Sequence, residues 1–124
     1  MALALVNGKV LTPRGFEPAT VVIEGDRIAA LRSPQARGEE ETIDLEGRYL
    51  LPGFIDTQVN GGGGVLFNAT PTVEAIATLG AAHRTFGTTG FLPTLISDDL
   101  DTVARAIAAV DQAIDQGVPG VLGI

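Results

Sequence analysis

The chain concentrates its chemistry-bearing side chains in one short stretch, Phe54-Ile55-Asp56-Thr57-Gln58-Val59-Asn60, which runs directly into Gly61-Gly62-Gly63-Gly64. Strand alternation puts Phe54, Asp56, Gln58 and Asn60 on one face and Ile55, Thr57 and Val59 on the other. The second face is apolar enough to lie under a helix. The first gathers three polar groups toward the strand's C-terminal end, where parallel α/β folds receive their ligands. Gln58 and Asn60 are neutral carboxamides that donate and accept hydrogen bonds and ligate metals poorly beside imidazole. They can line a substrate site or simply satisfy polar needs at a strand end. Asp56, one step deeper, can orient neighbouring donors or bond to an adjacent strand.

Other candidates carry less. Gly61–Gly64 fails the dinucleotide fingerprint, because the third glycine would fall at Leu66 or Phe67, and no Gly-Lys-Ser/Thr follows. A flexible loop at Gly61 and Gly62 that lets backbone approach substrate competes with plain turn-making. His83, the single histidine, falls on an apolar helical stripe near a helix end, which favours packing or a helix-dipole role at the rim opposite the site. Glu39-Glu40-Glu41 has no spaced partners and reads as a solvated run. With no cysteine, a single histidine and Asp56 alone on its face, these residues offer no closed metal-ligand set of their own.

The elements that must position these groups fall into two regimes. Up to Leu51 the signals are those of short strands: Asn7-Gly8 between Ala2–Val6 and Lys9–Thr12, Gly25-Asp26 between Thr20–Glu24 and Arg27–Leu31, and Glu46-Gly47 between Thr42–Leu45 and Arg48–Leu51. Ser33–Glu41 is a polar loop. Residues 1–51 thus read as a small antiparallel unit. From Pro52 the rhythm is strand, helix, strand, helix. Thr70 is placed to cap a helix with Pro71 at its first position, a stripe of Val73, Ile76, Leu79, His83 and Phe86, and Gly87 beyond it. Thr88–Leu95 is the next strand. Ser97 is placed to cap a second helix with a stripe of Leu100, Val103, Ile107, Val110 and Ile114, closed by Gly117 and Pro119. Gly120–Ile124 begins a third strand. Such alternation implies parallel strands, and three of them cannot close a barrel of eight. The chain accordingly reads as a segment of a longer enzyme, with the remainder of its own chain as a partner.

Composition narrows the class. The 124 residues are 45% hydrophobic and 5% aromatic, so the core is aliphatic and alanine-rich. A net charge of −7 argues against nucleic acid. No cysteine means no disulfide and no thiolate chemistry in this segment. The Met1–Val6 run is too short for a signal sequence and nothing approaches a membrane span, which gives a soluble, cytoplasmic expectation with no membrane partner.

Pro52-Gly53-Phe54-Ile55-Asp56 resembles the opening of the first barrel strand in the amidohydrolase superfamily. Gln58-Val59-Asn60 stands where most of that superfamily carries His-x-His. With the following glycines, Val65-Leu66-Phe67-Asn68 and the run Ala82–Ile96, it resembles the N-acetylglucosamine-6-phosphate deacetylase branch. The resemblance covers roughly Gly47 to Ile124 well and the first part loosely. It implies a fold in which residues 1–51 are part of a small antiparallel β-sandwich domain. Residues 52–124 would then be the opening three βα strands of a TIM-like (β/α)8 barrel. It implies hydrolysis of the N-acetyl group of N-acetylglucosamine 6-phosphate, giving glucosamine 6-phosphate and acetate. One divalent metal ion, zinc by the resemblance, would act in the complete enzyme, with an aspartate as general base and acid. The metal ligands and that aspartate would lie beyond Ile124, so residues 1–124 alone are expected to bind no metal. The resemblance also implies a homodimer and an amino-sugar phosphate as the small-molecule partner. Two rivals remain open: an amidohydrolase acting on a cyclic amide, and a non-catalytic interaction module of 124 residues.

Overall fold

The computed structural model describes residues 2–36 and 38–124. Met1, which opens the apolar N-terminal run, and Arg37, inside the polar loop, lie outside the described residues. The chain divides into two units, one up to Pro52 and the other Gly53–Ile124.

The first unit holds β1 (Ala2–Thr12), β2 (Gly15–Glu24), β3 (Arg27–Arg32), β4 (Glu41–Asp44) and β5 (Tyr49–Leu50). The Gly25-Asp26 hairpin forms as its turn chemistry dictates, with Glu24 paired to Arg27. Asn7-Gly8 does not turn the chain. β1 runs through it, and the pairing with β2 slips between Leu5 and Gly8. Asn7 takes φ +57°, tolerable for asparagine at a bulge. The turn that joins β1 to β2 is Pro13-Arg14, where Thr12 pairs with Gly15.

The antiparallel expectation is corrected too. β4 and β5 both pair parallel with β1 rather than with each other, so the five-stranded sheet is mixed. They lie on either side of the β1 bulge, β4 against Leu3–Val6 and β5 against Lys9–Val10. Between β4 and β5 the chain makes its own excursion at Glu46 and Gly47, both at positive φ. That excursion is tied to the β1 bulge by Gly47 N–H to Asn7 O at 2.7 Å and Asn7 Nδ2 to Asp44 Oδ1 at 2.9 Å. Two irregularities in register satisfy each other's backbone groups. Val10, Ala19 and Val21 are buried on this sheet, with Leu5, Ile23 and Leu50 against them.

The second unit holds β6 (Phe54–Val59), the short β7 (Gly61–Gly62) and β8 (Val65–Leu66), α1 (Val73–Arg84), β9 (Thr88–Pro93) and α2 (Leu100–Asp115). β6 and β9 are parallel. The third strand is reduced to a single parallel bridge, Phe91 to Val121. Its hydrogen bonds run from Phe91 N–H to Gly120 O and from Leu122 N–H to Phe91 O.

Helix ends differ from expectation by about two residues. Thr72, not Thr70, caps α1, its hydroxyl accepting from Ala75 N–H. Asp99, not Ser97, caps α2 by accepting from Thr102 N–H at 2.7 Å. In both cases an acceptor two residues closer to the helical run takes the cap, and at α2 it is a carboxylate in place of a hydroxyl. The far end of α2 follows its glycine. Gly117 at φ +70° lets Gly117 N–H reach Ile114 O and Val118 N–H reach Ala113 O, a Schellman closure.

The buried face of α2 also departs from the apolar stripe. Thr102, Ala106, Ala109, Val110 and Ala113 are buried, whereas Leu100 is 84% exposed. The buried seam keeps the helical spacing but is displaced by one residue, about 100° around the axis. Alanines allow close approach to the large core groups Phe67, Ile76, Leu79 and Phe91, all buried with them. Burying each of those four stabilises by roughly 1.5–3 kcal/mol. On α1, Ile76 and Leu79 are buried as expected, but Phe86 falls beyond the helix and is 82% exposed. No helix among the described residues is long and apolar enough to cross a membrane.

Candidate functional site

The polar end of β6 meets the end of β9 through Asn60. Thr94 N–H donates to Val59 O at 2.9 Å, continuing the parallel ladder one step past β9. Asn60 Nδ2 then donates to Thr94 O at 2.9 Å, and Asn60 O accepts Phe67 N–H at 2.8 Å. Asn60 is half-buried and Gln58 exposed. Buried Val59 sits between them and fixes the strand to the core. Asn60 Oδ1 accepts no hydrogen bond among the described residues, so together with the exposed Gln58 carboxamide it is an acceptor this end has to offer a ligand.

Strict alternation fails just before this point. Asp56 pairs with Phe91 and Val59 with Pro93, three residues against two. Ile55, Thr57 and Val59 do not form one buried face: Ile55 and Thr57 are exposed and only Val59 is buried. Asp56 turns its carboxylate back along its own strand and accepts Gln58 N–H at 3.0 Å. That bond holds the local kink, not an adjacent strand.

The glycine run is a tight hairpin, not an open loop. Gly61 pairs with Leu66 and Gly62 with Val65. Gly63 and Gly64, at φ +60° and +83°, form the two-residue turn. The hairpin lies on α1. His83 Nε2 donates to Gly61 O at 3.0 Å, and because a carbonyl only accepts, the ring carries its proton on Nε2. A Cβ on Gly62 would stand 2.9 Å from that nitrogen. His83 therefore lies against the hairpin that follows the polar end of β6, not at the opposite rim, and anchors Gly61 and Gly62, for which turn-making and substrate approach are the competing readings.

One residue of this region escaped sequence reasoning as a site candidate. Asn68, just after buried Phe67, brackets the segment following β9. Its Nδ2 donates to Ile96 O and to Asp98 Oδ2, each at 2.8 Å, and its Oδ1 accepts Ile96 N–H at 2.9 Å. The partners lie 28 and 30 residues away, a separation no local pattern signals. Asn68 and the Asp99 N–H, with a smaller contribution from the Arg105 charge, hold the Asp98 carboxyl below its ordinary range. The C-terminal rim of this unit thus combines two carboxamides, a clamped turn and one ionised carboxylate. Such a set can orient a polar ligand through neutral hydrogen bonds. Among the described residues no three His, Cys, Asp or Glu side chains come together to hold a metal ion, and amides at Gln58 and Asn60 do not replace them.

No family model matches the sequence. The chain is 56% identical over 122 residues to the N-acetylgalactosamine-6-phosphate deacetylase of Shewanella sp. (strain ANA-3), across 95% of this chain and 31% of that protein. It is 35% identical over 127 residues to the N-acetylglucosamine-6-phosphate deacetylase of Haemophilus influenzae, across 100% of this chain and 33% of that protein. Among solved structures, the N-acetylglucosamine-6-phosphate deacetylase from Pasteurella multocida superposes with a TM-score of 0.88 at 30% identity, over 94% of this chain and 31% of that one. The chain spans about a third of the length of the curated relatives it matches.

Proposed function

We infer that the chain belongs to the amidohydrolase superfamily, as the N-terminal part of an enzyme that deacetylates an N-acetylhexosamine 6-phosphate. The observation that carries this is the 56% identity running through 95% of the chain to a deacetylase of that class. The 0.88 superposition on another supports it. In this reading residues up to Leu51 are part of a small β-domain and residues 52–124 open a (β/α)8 barrel, with β6 as its first strand and β9 as its second. The same relatives weigh against a cyclic-amide substrate and against a non-catalytic module.

The role proposed for this chain's residues is orientation. Asn60, held by Thr94 and Phe67, presents its free Oδ1 toward the reacting amide, and exposed Gln58 offers a second carboxamide from the same strand end. Neutral donors and acceptors of this kind fix an amide group without competing for its proton. A divalent ion, zinc in this proposal, would polarise the acetyl carbonyl and activate water. The donor set here does not fit such an ion, so its ligands and the general base are assigned to the rest of the enzyme. A homodimer is part of the same proposal.

The sugar is read as N-acetylglucosamine 6-phosphate, giving glucosamine 6-phosphate and acetate. A second reading, N-acetylgalactosamine 6-phosphate, is favoured by the name of the 56% relative. The two differ only at the C4 hydroxyl. The full-length protein should be assayed for acetate release from both sugar phosphates side by side, with its mass in solution measured by light scattering. A kcat/KM ratio above about tenfold for one epimer identifies the substrate, since that corresponds to a distinct contact worth about 1.4 kcal/mol. No acetate from either would overturn the assignment.

A further inference from the structure

We propose that Asn68 is a positioning residue of this site, clamping the turn after β9 so that Thr94, and through it the Asn60 carboxamide, stays in register. The proposal rests on the deacetylase reading above for its kinetic consequence, and on geometry alone for the clamp. An exposed turn between a strand and a helix cap has no ladder to hold it. Here one side chain takes the place of a strand neighbour. Asn68 Oδ1 accepts Ile96 N–H while its Nδ2 donates to Ile96 O, so the carboxamide pairs with Ile96 as a peptide group would. The second Nδ2 proton goes to Asp98 Oδ2, on the residue before the α2 cap. The turn is thus pinned at both ends by one residue that is itself fixed from below, because Phe67 is fully buried and its N–H is bonded to Asn60 O.

Asn60 lies inside the same circuit. Its main chain carries the segment leading to Asn68, and its side chain holds Thr94 O, two residues before Ile96. Loosening the turn at Ile96 therefore leaves Thr94 held from its N-terminal side alone, by its N–H to Val59 O and its hydroxyl to Leu92 O, and gives the Asn60 amide more room to rotate. Misplacement of a positioning group lowers turnover more than binding. Neither aspartate nor alanine can replace Asn68. Alanine makes none of the three bonds. A carboxylate in its place could accept Ile96 N–H but would face Asp98 with like charge and offer Ile96 O no donor.

The test uses the full-length protein. Asn68→Ala is expected to lower kcat about tenfold with KM changed less than about threefold, and to accelerate amide exchange at Ile96 by about tenfold or more. Asn68→Asp should show the same fall in kcat, with a smaller gain in Ile96 exchange because its carboxylate still accepts Ile96 N–H. Adding Asp98→Asn to it restores an amide-to-carboxylate pair of reversed polarity, though no donor for Ile96 O, and should recover part of the loss in kcat. Wild-type kcat and wild-type Ile96 exchange in Asn68→Ala, or no recovery in the swapped pair, would overturn the proposal. If the wild-type protein deacetylates neither sugar phosphate, the functional reading fails, while Ile96 exchange in the single and swapped variants still decides the clamp. Should Asn68→Ala not fold, Asn68→Asp with and without Asp98→Asn decides it by the same readouts.

Discussion

His83 Nε2 donates a hydrogen bond of 3.0 Å to the carbonyl oxygen of Gly61, 22 residues earlier in the chain. The one histidine of the sequence thus commits its polar group to a glycine hairpin, and a single half-buried polar contact from α1 ties down the strand's continuation. His83→Ala should cost about 0.5–1.5 kcal/mol of stability, the net value of one such bond, with kcat close to wild type in the full-length protein. A large fall in kcat at unchanged denaturant midpoint would contradict this role.

Gly80 is a helical glycine with a reason. A Cβ there would stand 2.8 Å from Cε1 of buried Phe91. Helix propensity alone favours alanine by about 1 kcal/mol, but overpacking against a fixed ring costs about 1–3 kcal/mol. Gly80→Ala is therefore expected to lower the melting temperature. Phe91→Leu, which removes the ring edge, should make the same glycine substitution less harmful. Stabilisation by Gly80→Ala alone would show that the ring yields freely.

Asn60 and Gln58 separate in kind. Asn60→Ala should lower both turnover and stability, the latter by about 1 kcal/mol, because the bond to Thr94 O is lost. Gln58 is exposed and its side chain makes no bond among the described residues, so Gln58→Ala should leave the melting temperature unchanged while lowering turnover. Steady-state kinetics and thermal unfolding on the two variants decide the matter, and wild-type kinetics in both would remove them from the site.

Asp98 gives a pH signature. Its pKa is depressed by the Asn68 amide first and the Asp99 N–H second, so the folded state binds that proton less readily than the unfolded chain. The resulting stability is present above the ordinary carboxylate range and disappears as pH falls through the depressed value. Asn68→Ala should raise the Asp98 pKa toward normal in a carboxyl-carbon NMR titration. The stability gap to wild type should be largest near neutral pH and shrink on acidification. An Asp98 titration unchanged by Asn68→Ala would exclude the pairing.

The sequence by itself determined what depends on neighbours a few residues apart. The change of rhythm near Pro52, the Gly25-Asp26 hairpin, the Gly117 helix closure and the polar end of β6 are all written in local chemistry, where positive φ, capping and period depend on adjacent residues. Tertiary structure decided the rest. Asn7-Gly8 can turn a chain or bulge a strand, and only the parallel pairing of β1 with residues 41–50 selects the bulge. The buried face of α2 was settled by space rather than hydropathy, because alanines at 106, 109 and 113 let it approach the large core side chains while bulkier Leu100 stays outside. Asn68 reads as an ordinary loop residue until the fold brings Ile96 and Asp98 to it across some thirty positions. Hydrogen bonds of that span belong to the packing of the whole unit, and no spacing within the chain encodes them.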